Sequence, residues 1–325
     1  MSCLTRRTVL AGSLLSTGLS SSGRAATGTG ETVTWIVPFP AGGQADLFAR
    51  PIAQRVSERI GQTIVVDNRG GAGGTIGAAQ AARAPADGTT FLVALTGHAY
   101  APLLYPEAGG DLARSFAPIS ALARVPNALV VNPGRLDVAT VAAFAGEARK
   151  APDAIDVASS GYGTTTHLGI EMLQRRAGIA LNHVPYRGGG PALRDLLGGQ
   201  VAAGFLPVGI LGDYVRRGDL RVLAVAARRR DPQFAAVPTM DEAGFKGFNV
   251  ATWFGLFAPA ATAEPILDRM HAAVQEVLAE EAIRSLWREL SGRVEPESRA
   301  DFRRFVGLEI ERWGRIVREA NVQPE

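Results

Sequence analysis

Four loops of this chain hold the residue types that bind anions. Each follows a short apolar run and opens an amphipathic stretch, the position where main-chain N–H groups lack partners and a helix dipole is positive. The first is Pro38-Phe39-Pro40-Ala41-Gly42-Gly43-Gln44-Ala45-Asp46. Its glycines let a ligand approach the backbone closely and Phe39 can shield it from water, although a plain strand-to-helix turn suits the same residues. Asp46 opposes a simple carboxylate site, because its charge in the first turn repels an anion; capping amides or holding a water is the role left to it. The second loop, Asn68–Gly77, has Ile76 where the G-x-G-x-x-G dinucleotide fingerprint needs its third glycine, so it reads as a tight turn with close helix–sheet packing. Thr96-Gly97-His98 is the third. The fourth, Ser159–His167, is the richest: Ser159, Ser160 and Thr164 offer hydroxyls, Gly161 and Gly163 flexible amides, and Thr164 to Thr166 a helix N-cap.

Catalytic patterns are absent from the sequence. There is no H-E-x-x-H and no nucleophile elbow around Ser159 or Ser160. His98, His167, His183 and His271 have no metal-ligand spacing, and His183 and His271 read as ordinary packing or surface positions. Neither a metal nor a cofactor is expected. An exported α/β hydrolase stays open as a rival, with a nucleophile–base pair assembled from distant residues such as Ser160 and His167.

Short β-branched or apolar runs alternate with amphipathic stretches from Val33 onward, which specifies an α/β protein with parallel strands and crossover helices. Strands are expected at Val33–Pro38, Ile64–Asp67, Phe91–Leu95, Ala128–Val131, Ile155–Ser159, His183–Pro185, Val201–Phe205, Leu220–Ala226 and Thr252–Ala258. Ala45–Ile60, with Leu47, Ile52, Val56 and Ile60 on one face, Val138–Lys150, Leu168–Ala177 and Ala192–Leu197 read as helices. Pro265–Leu290 and Ser298–Ala320 read as long helices, the second presenting Phe302, Phe305, Leu308, Ile310, Trp313 and Val317 to a sheet. The chain has 325 residues, 46% hydrophobic and 20% charged, which excludes general disorder and favours two lobes with a cleft between them. Arg6, Arg7 and Arg24 account for the net charge of +3, so residues 26–325 balance at 31 basic and 31 acidic groups. That balance argues against a nucleic-acid footprint or an electrostatic membrane patch.

The first 25 residues have the layout of an export signal: Arg6-Arg7, an uncharged stretch from Val9 to Leu19, and a small-residue cleavage site after Ala25. The apolar stretch is shorter than the roughly 20 residues a membrane span requires. Thr5-Arg6-Arg7-Thr8-Val9-Leu10 is similar to the twin-arginine motif, with the general secretory route left open. Cys3, the one cysteine, leaves with the signal, and a periplasmic product is expected.

Taken in order, Ile36-Val37-Pro38-Phe39-Pro40-Ala41-Gly42-Gly43 with Asp46, Asn68-Arg69 with Gly71–Gly74, Ser159-Ser160-Gly161 with Gly163, Thr164 and His167, and Val184-Pro185-Tyr186-Arg187-Gly188-Gly189 resemble the Bug family of periplasmic solute-binding proteins. Leu196-Leu197-Gly198-Gly199-Gln200-Val201 and Pro238-Thr239-Met240 continue the likeness, which spans the mature chain. The resemblance implies a two-domain type II periplasmic-binding-protein (Venus flytrap) fold, with residues 31–126 and 252–325 as domain 1 and 127–251 as domain 2. It implies that Phe39, Ala41, Gly42, Gly43 and Asp46 face Ser159, Ser160, Gly163, Thr164 and His167 across a cleft, with Thr96 and Gly97 beside them. Together these hold a ligand carboxylate through amides, hydroxyls and waters. Tyr186, Arg187 and Phe205 with its following loop would meet the ligand's distal end. Ala202–Val208 contains no polar or acidic residue, where family members often have one, so a plain carboxylate is favoured over an amino acid. The implied partners are that ligand and the membrane permease subunits of a tripartite tricarboxylate transporter, with the receptor a monomer and hinges near Arg124–Leu129 and Asn249–Trp253. A sensor for a membrane signalling receptor needs the same closed surface and stays open.

Overall fold

The computed structural model describes residues 32–294 and 296–320; the export segment expected over residues 1–25 lies outside the described residues. Strands β1 (Val33–Val37), β2 (Ile64–Asn68) and β3 (Thr90–Leu95) lie parallel with β1 in the middle. Alternate residues of β1 and β3 enter different clusters, Ile36 and Leu92 one, Trp35, Val37, Phe91 and Val93 the other, so both faces are covered and the strands read as unbroken apolar runs. Helix α1 (Gln44–Ile60) covers one face with Phe48, Ala49, Ile52, Ala53 and Val56, and stops at Gly61, whose φ of +67° a side chain would resist. Phe48 rather than Leu47 points inward; Leu47 is 40% exposed.

The sheet continues through β9 (Ala251–Pro259) and β4 (Phe116–Val131), both antiparallel to their neighbours, giving the order β2-β1-β3-β9-β4-β7-β5-β6 with β8 (Arg221–Val225) also on β4. On the far side, β5 (Asp156–Ser159) lies parallel to both β6 (Asn182–Pro185) and β7 (Ala203–Pro207). Strand β4 belongs to both halves. It pairs with β9 as far as Pro126↔Ala251, and from Asn127↔Pro207 onward with β7. Its expected length was only Ala128–Val131. Pro118 and Pro126 interrupt the alternation that marks a strand, and the pairing absorbs this region through register shifts between Pro118 and Ser120 and between Ala121 and Ala123.

Further helices are α2 (Thr75–Ala82), α3 (Val141–Lys150), α4 (Thr165–Ala177), α5 (Gly189–Leu197), α6 (Glu264–Leu278), α7 (Glu281–Glu289) and α8 (Arg299–Ala320). The single helix expected over Pro265–Leu290 is two. Glu280 is extended at φ −65°, ψ 134°, and its carboxylate, anchored by Arg55 and Arg59 of α1, lies at the break. Helix α8 packs Phe302 and Trp313, both fully buried, against Trp253, Phe257 and Tyr100, whereas Leu308 faces solvent at 59% exposure.

Candidate functional site

Parallel strands deliver their outgoing loops to one edge, and that edge is where open α/β sheets bind ligands. In the first half these are the loops after Val37, Asn68 and Leu95; in the second, those after Ser159, Pro185 and Pro207.

Asp46 organises the first loop. Nearly buried, it accepts from the Gly42 amide (3.0 Å), from Arg50 (2.6 Å) and from Asn68 Nδ2 (3.1 Å), and Asn68 Nδ2 also donates to the Phe39 carbonyl (3.0 Å). Burial works to raise its pKa, but the hydrogen bonds from Arg50, Gly42 and Asn68 prevail and hold the carboxyl below its ordinary value. The Gly43 amide donates to Pro40 O (3.1 Å). The amides of Gly42 and Gly43 therefore serve the loop's own shape, while Ala41 and Gly42 lie exposed and Phe39 half-buried.

The Thr96–Tyr100 turn touches both loop systems. Thr96 is fully buried and its hydroxyl accepts from the Trp253 amide (2.8 Å), so it ties the turn to β9. His98, also buried, has its Nδ1 3.2 Å from both the amide and the carbonyl of Leu95 and its Nε2 3.3 Å from Gly74 O. Its ring meets Phe39 edge-on at 6.4 Å. Two residues later, Tyr100 Oη donates to Gly163 O (2.8 Å) in the opposite loop. Gly97 is half-buried between these anchors.

The Ser159–His167 loop also satisfies most of its own donors. The Ser160 amide donates to Thr166 Oγ1 (2.9 Å), the Gly161 amide to Ser159 Oγ (3.1 Å), the Gly163 amide to His167 Nδ1 (3.1 Å) and the Thr164 amide to Gly161 O (3.3 Å). Thr164 caps α4, accepting from the His167 amide (3.4 Å). Gly163 has φ +66°, and a Cβ there would stand 2.9 Å from Leu104 Cδ1, which fixes glycine at the contact between the halves. Ser160 Oγ is different: it is buried with no hydrogen-bond partner among the described residues, on the side of Gly189 at the start of α5.

Ser159, fully buried, sits 2.7 Å from His183 Nε2, and His183 stacks on His167 with centroids 4.1 Å apart and planes 8° from parallel. His183 is therefore part of the loop's support rather than an ordinary packing or surface residue. Nothing in its local sequence shows this, because the contact depends on the parallel register Val157↔His183 between β5 and β6. The Ser160–His167 pair is not brought together, since His167 Nδ1 is engaged by Gly163. Of the residues expected at the distal end, Tyr186 donates to Asp195 (2.8 Å), and burial together with that carboxylate pushes its phenol up to about 12. Arg187 is exposed. Phe205 lies in the core: it is fully buried, its ring against Phe248 and so close beneath α4 that a Cβ on Gly169 would stand 2.4 Å from it.

Among the described residues no group of three or more His, Cys, Asp or Glu could hold a metal, and no helix is long and apolar enough to cross a membrane. Of two concavities, one of about 600 Å³ lies beside Arg149, Arg176 and Lys246, and the other, of about 570 Å³ beside Tyr214, Gln233 and Arg288, is lined in part by Gly209 and Ile210 of the loop after Pro207; neither is lined by the Phe39–Asp46, Thr96–Gly97 or Ser159–His167 residues.

A family model described as the tripartite tricarboxylate transporter family receptor matches residues 48–322. The protein BugT of Bordetella pertussis is 34% identical over 326 residues, covering 98% of this chain and 99% of BugT. A structure of an R. palustris protein with adipate superposes with a TM-score of 0.84 at 37% identity, covering 90% of this chain and 98% of that one. MatC from Rhodopseudomonas palustris with bound malate gives 0.80 at 34% identity, covering 88% and 98%. The architecture is thereby that of the two-domain periplasmic binding proteins.

Proposed function

We propose, from the premise that this chain belongs to the tripartite tricarboxylate transporter receptor family, that it captures a small organic carboxylate between its two lobes and passes it to a membrane permease of that transporter type. The lobes are residues 31–126 with 252–325 and residues 127–251, and the export signal delivers the chain to the periplasm. Ser160 carries the reading. A buried hydroxyl without a partner costs roughly 1–3 kcal/mol, and a ligand oxygen seated at the second rim recovers it. The loops of Phe39–Asp46 and Ser159–His167 form the two rims, with the Thr96–Tyr100 turn anchored to both. Thr164 and Thr166 hold the second rim in shape, and the exposed Arg187 is placed for a distal group.

The neighbouring acids support a plain carboxylate. Asp46 already accepts from Arg50, Asn68 and the Gly42 amide, while Glu171 and Asp195 are engaged by Gln174 and Tyr186, so the acids beside the loops are committed to the protein's own donors. Titration calorimetry of the ligand-stripped protein with adipate, malate, citrate and aspartate tests this. Heat of binding is expected from at least one of the first three, with aspartate weaker by about ten-fold or more, and flat traces from all four with folded protein overturn the proposal.

A further inference from the structure

His167 stands in the first turn of α4 and His183 on the edge strand β6, yet each ring holds one point of the second rim. Gly163 N–H donates to His167 Nδ1 (3.1 Å), and Ser159 Oγ lies 2.7 Å from His183 Nε2. A backbone N–H can only donate, so His167 Nδ1 bears a lone pair and the neutral ring carries its proton on Nε2, 3.7 Å from Glu171 Oε1. An added proton has only Nδ1 to occupy. There it sets one donor against another at Gly163, whose carbonyl is held from the other lobe by Tyr100 Oη.

The surroundings disfavour a charge on His183. Burial first, and then the charge of His167, push His183 down to about 4. The nearness of His167, 3.7 Å away, outweighs burial to hold the Glu171 carboxyl below its ordinary range, which keeps a counter-ion beside that ring. Two imidazolium rings stacked at 4.1 Å repel, so the pair accepts one proton well before a second. The other titratable groups around the stack are Tyr162, whose ring lies 4.5 Å from that of His167, Arg175 further along α4, and Asp156 on β5, which accepts from Asn182. Strand β7 contributes none. From α8, Glu309 and Arg312 are paired with each other.

We infer that His167 and His183 are positioning residues that make the second rim proton-sensitive: one proton taken up by the stack breaks the Gly163 N–H···Nδ1 bond and loosens the grip on the ligand as the medium acidifies. The structural half does not depend on the carboxylate reading; the consequence for binding does.

The test follows the Gly163 amide and the imidazole nitrogens of the ¹⁵N-labelled, ligand-free full chain by NMR from about pH 7.5 to about pH 4.5. The Gly163 resonance is expected to move with the same midpoint as the His167 ring. In His167→Gln, whose side-chain oxygen can still accept from Gly163, it stays fixed. An amide that does not respond while the imidazoles titrate, or that moves equally in His167→Gln, overturns the inference; His183→Asn serves as the second variant should the first fail to fold. For the binding arm, adipate affinity of the natural chain is expected to fall about ten-fold more over this range than that of His167→Gln, a difference that cancels the ligand's own protonation. Equal slopes overturn the link to release; malate or citrate takes the place of adipate where only one of them binds, and if none of the three binds either protein at neutral pH the carboxylate reading falls while the amide result still stands.

Discussion

Ser160 and Gly163 sit three residues apart in one loop and make opposite demands. Removing the Ser160 hydroxyl deletes a buried group with no partner in the protein, so Ser160→Ala is expected to keep or raise the thermal midpoint while weakening carboxylate binding by about five-fold, the value of one ordinary hydrogen bond. Differential scanning fluorimetry and calorimetry on the same sample separate the two effects, and unchanged affinity removes Ser160 from the site. Gly163→Val places branched carbon against Leu104 in a left-handed backbone and is expected to wedge the halves apart, with affinity falling well beyond ten-fold and the far-ultraviolet spectrum preserved. The composition of Ser159–His167 was enough to single this loop out. Which of its atoms remain unengaged was not legible, because the Ser159–His183 and Gly163–His167 bonds depend on strand register and helix phase rather than on residue type.

At the scale of elements, the crossing strands and α8 form one mechanical unit. Both segments expected as hinges are gripped by the C-terminal region. Arg124 is paired with Glu297 (3.0 Å) and lies 4.4 Å over the Phe305 ring, while Arg312 donates to Asn249 O. Glu309 accepts from the indoles of Trp253 (3.1 Å) and Trp313 (2.8 Å), joining β9 to α8. A motion at these expected hinges would bend strands that this helix holds. Glu309→Leu strands two buried indole N–H groups, so a loss of roughly 2–4 kcal/mol in urea unfolding and a changed tryptophan emission maximum are expected; a loss under about 0.5 kcal/mol would show that the clamp contributes nothing. The periodicity of Ser298–Ala320 made the helix itself legible and identified its aromatic face apart from Leu308. The long β4 was hidden by Pro118 and Pro126, and the break at Glu280 by ion pairs to a helix more than 200 residues earlier.

Across the whole molecule, each lobe has a histidine whose surroundings favour the neutral ring, His98 buried in the first and His183 half-buried in the second. Burial lowers the pKa of His98, and burial together with the neighbouring His167 takes that of His183 from 6.5 to about 4. In the unfolded chain both titrate near the ordinary value of about 6.5, so between there and the folded value the unfolded state binds more protons and stability rises with pH. The contribution is complete above about pH 6.5 and is lost as the pH falls through that range. For His183 the loss ends near the folded value of about 4. Urea midpoints measured at about pH 7.5, 6 and 4.5 are therefore expected to decline, and His98→Gln and His183→Asn each to flatten part of that decline. The two sites share no contact. His98 bonds to Leu95 and Gly74, His183 to Ser159. Their effects should accordingly add in the double variant. Additivity would separate this global effect from the local one at Gly163, since His98→Gln should leave the Gly163 resonance titrating as before. A double variant whose midpoint still declines as steeply as that of the natural chain would show that these two rings are not the source of the acid sensitivity; Asp46, held below its ordinary value by Arg50, Gly42 and Asn68, gives up its contribution only at more acid pH than this window.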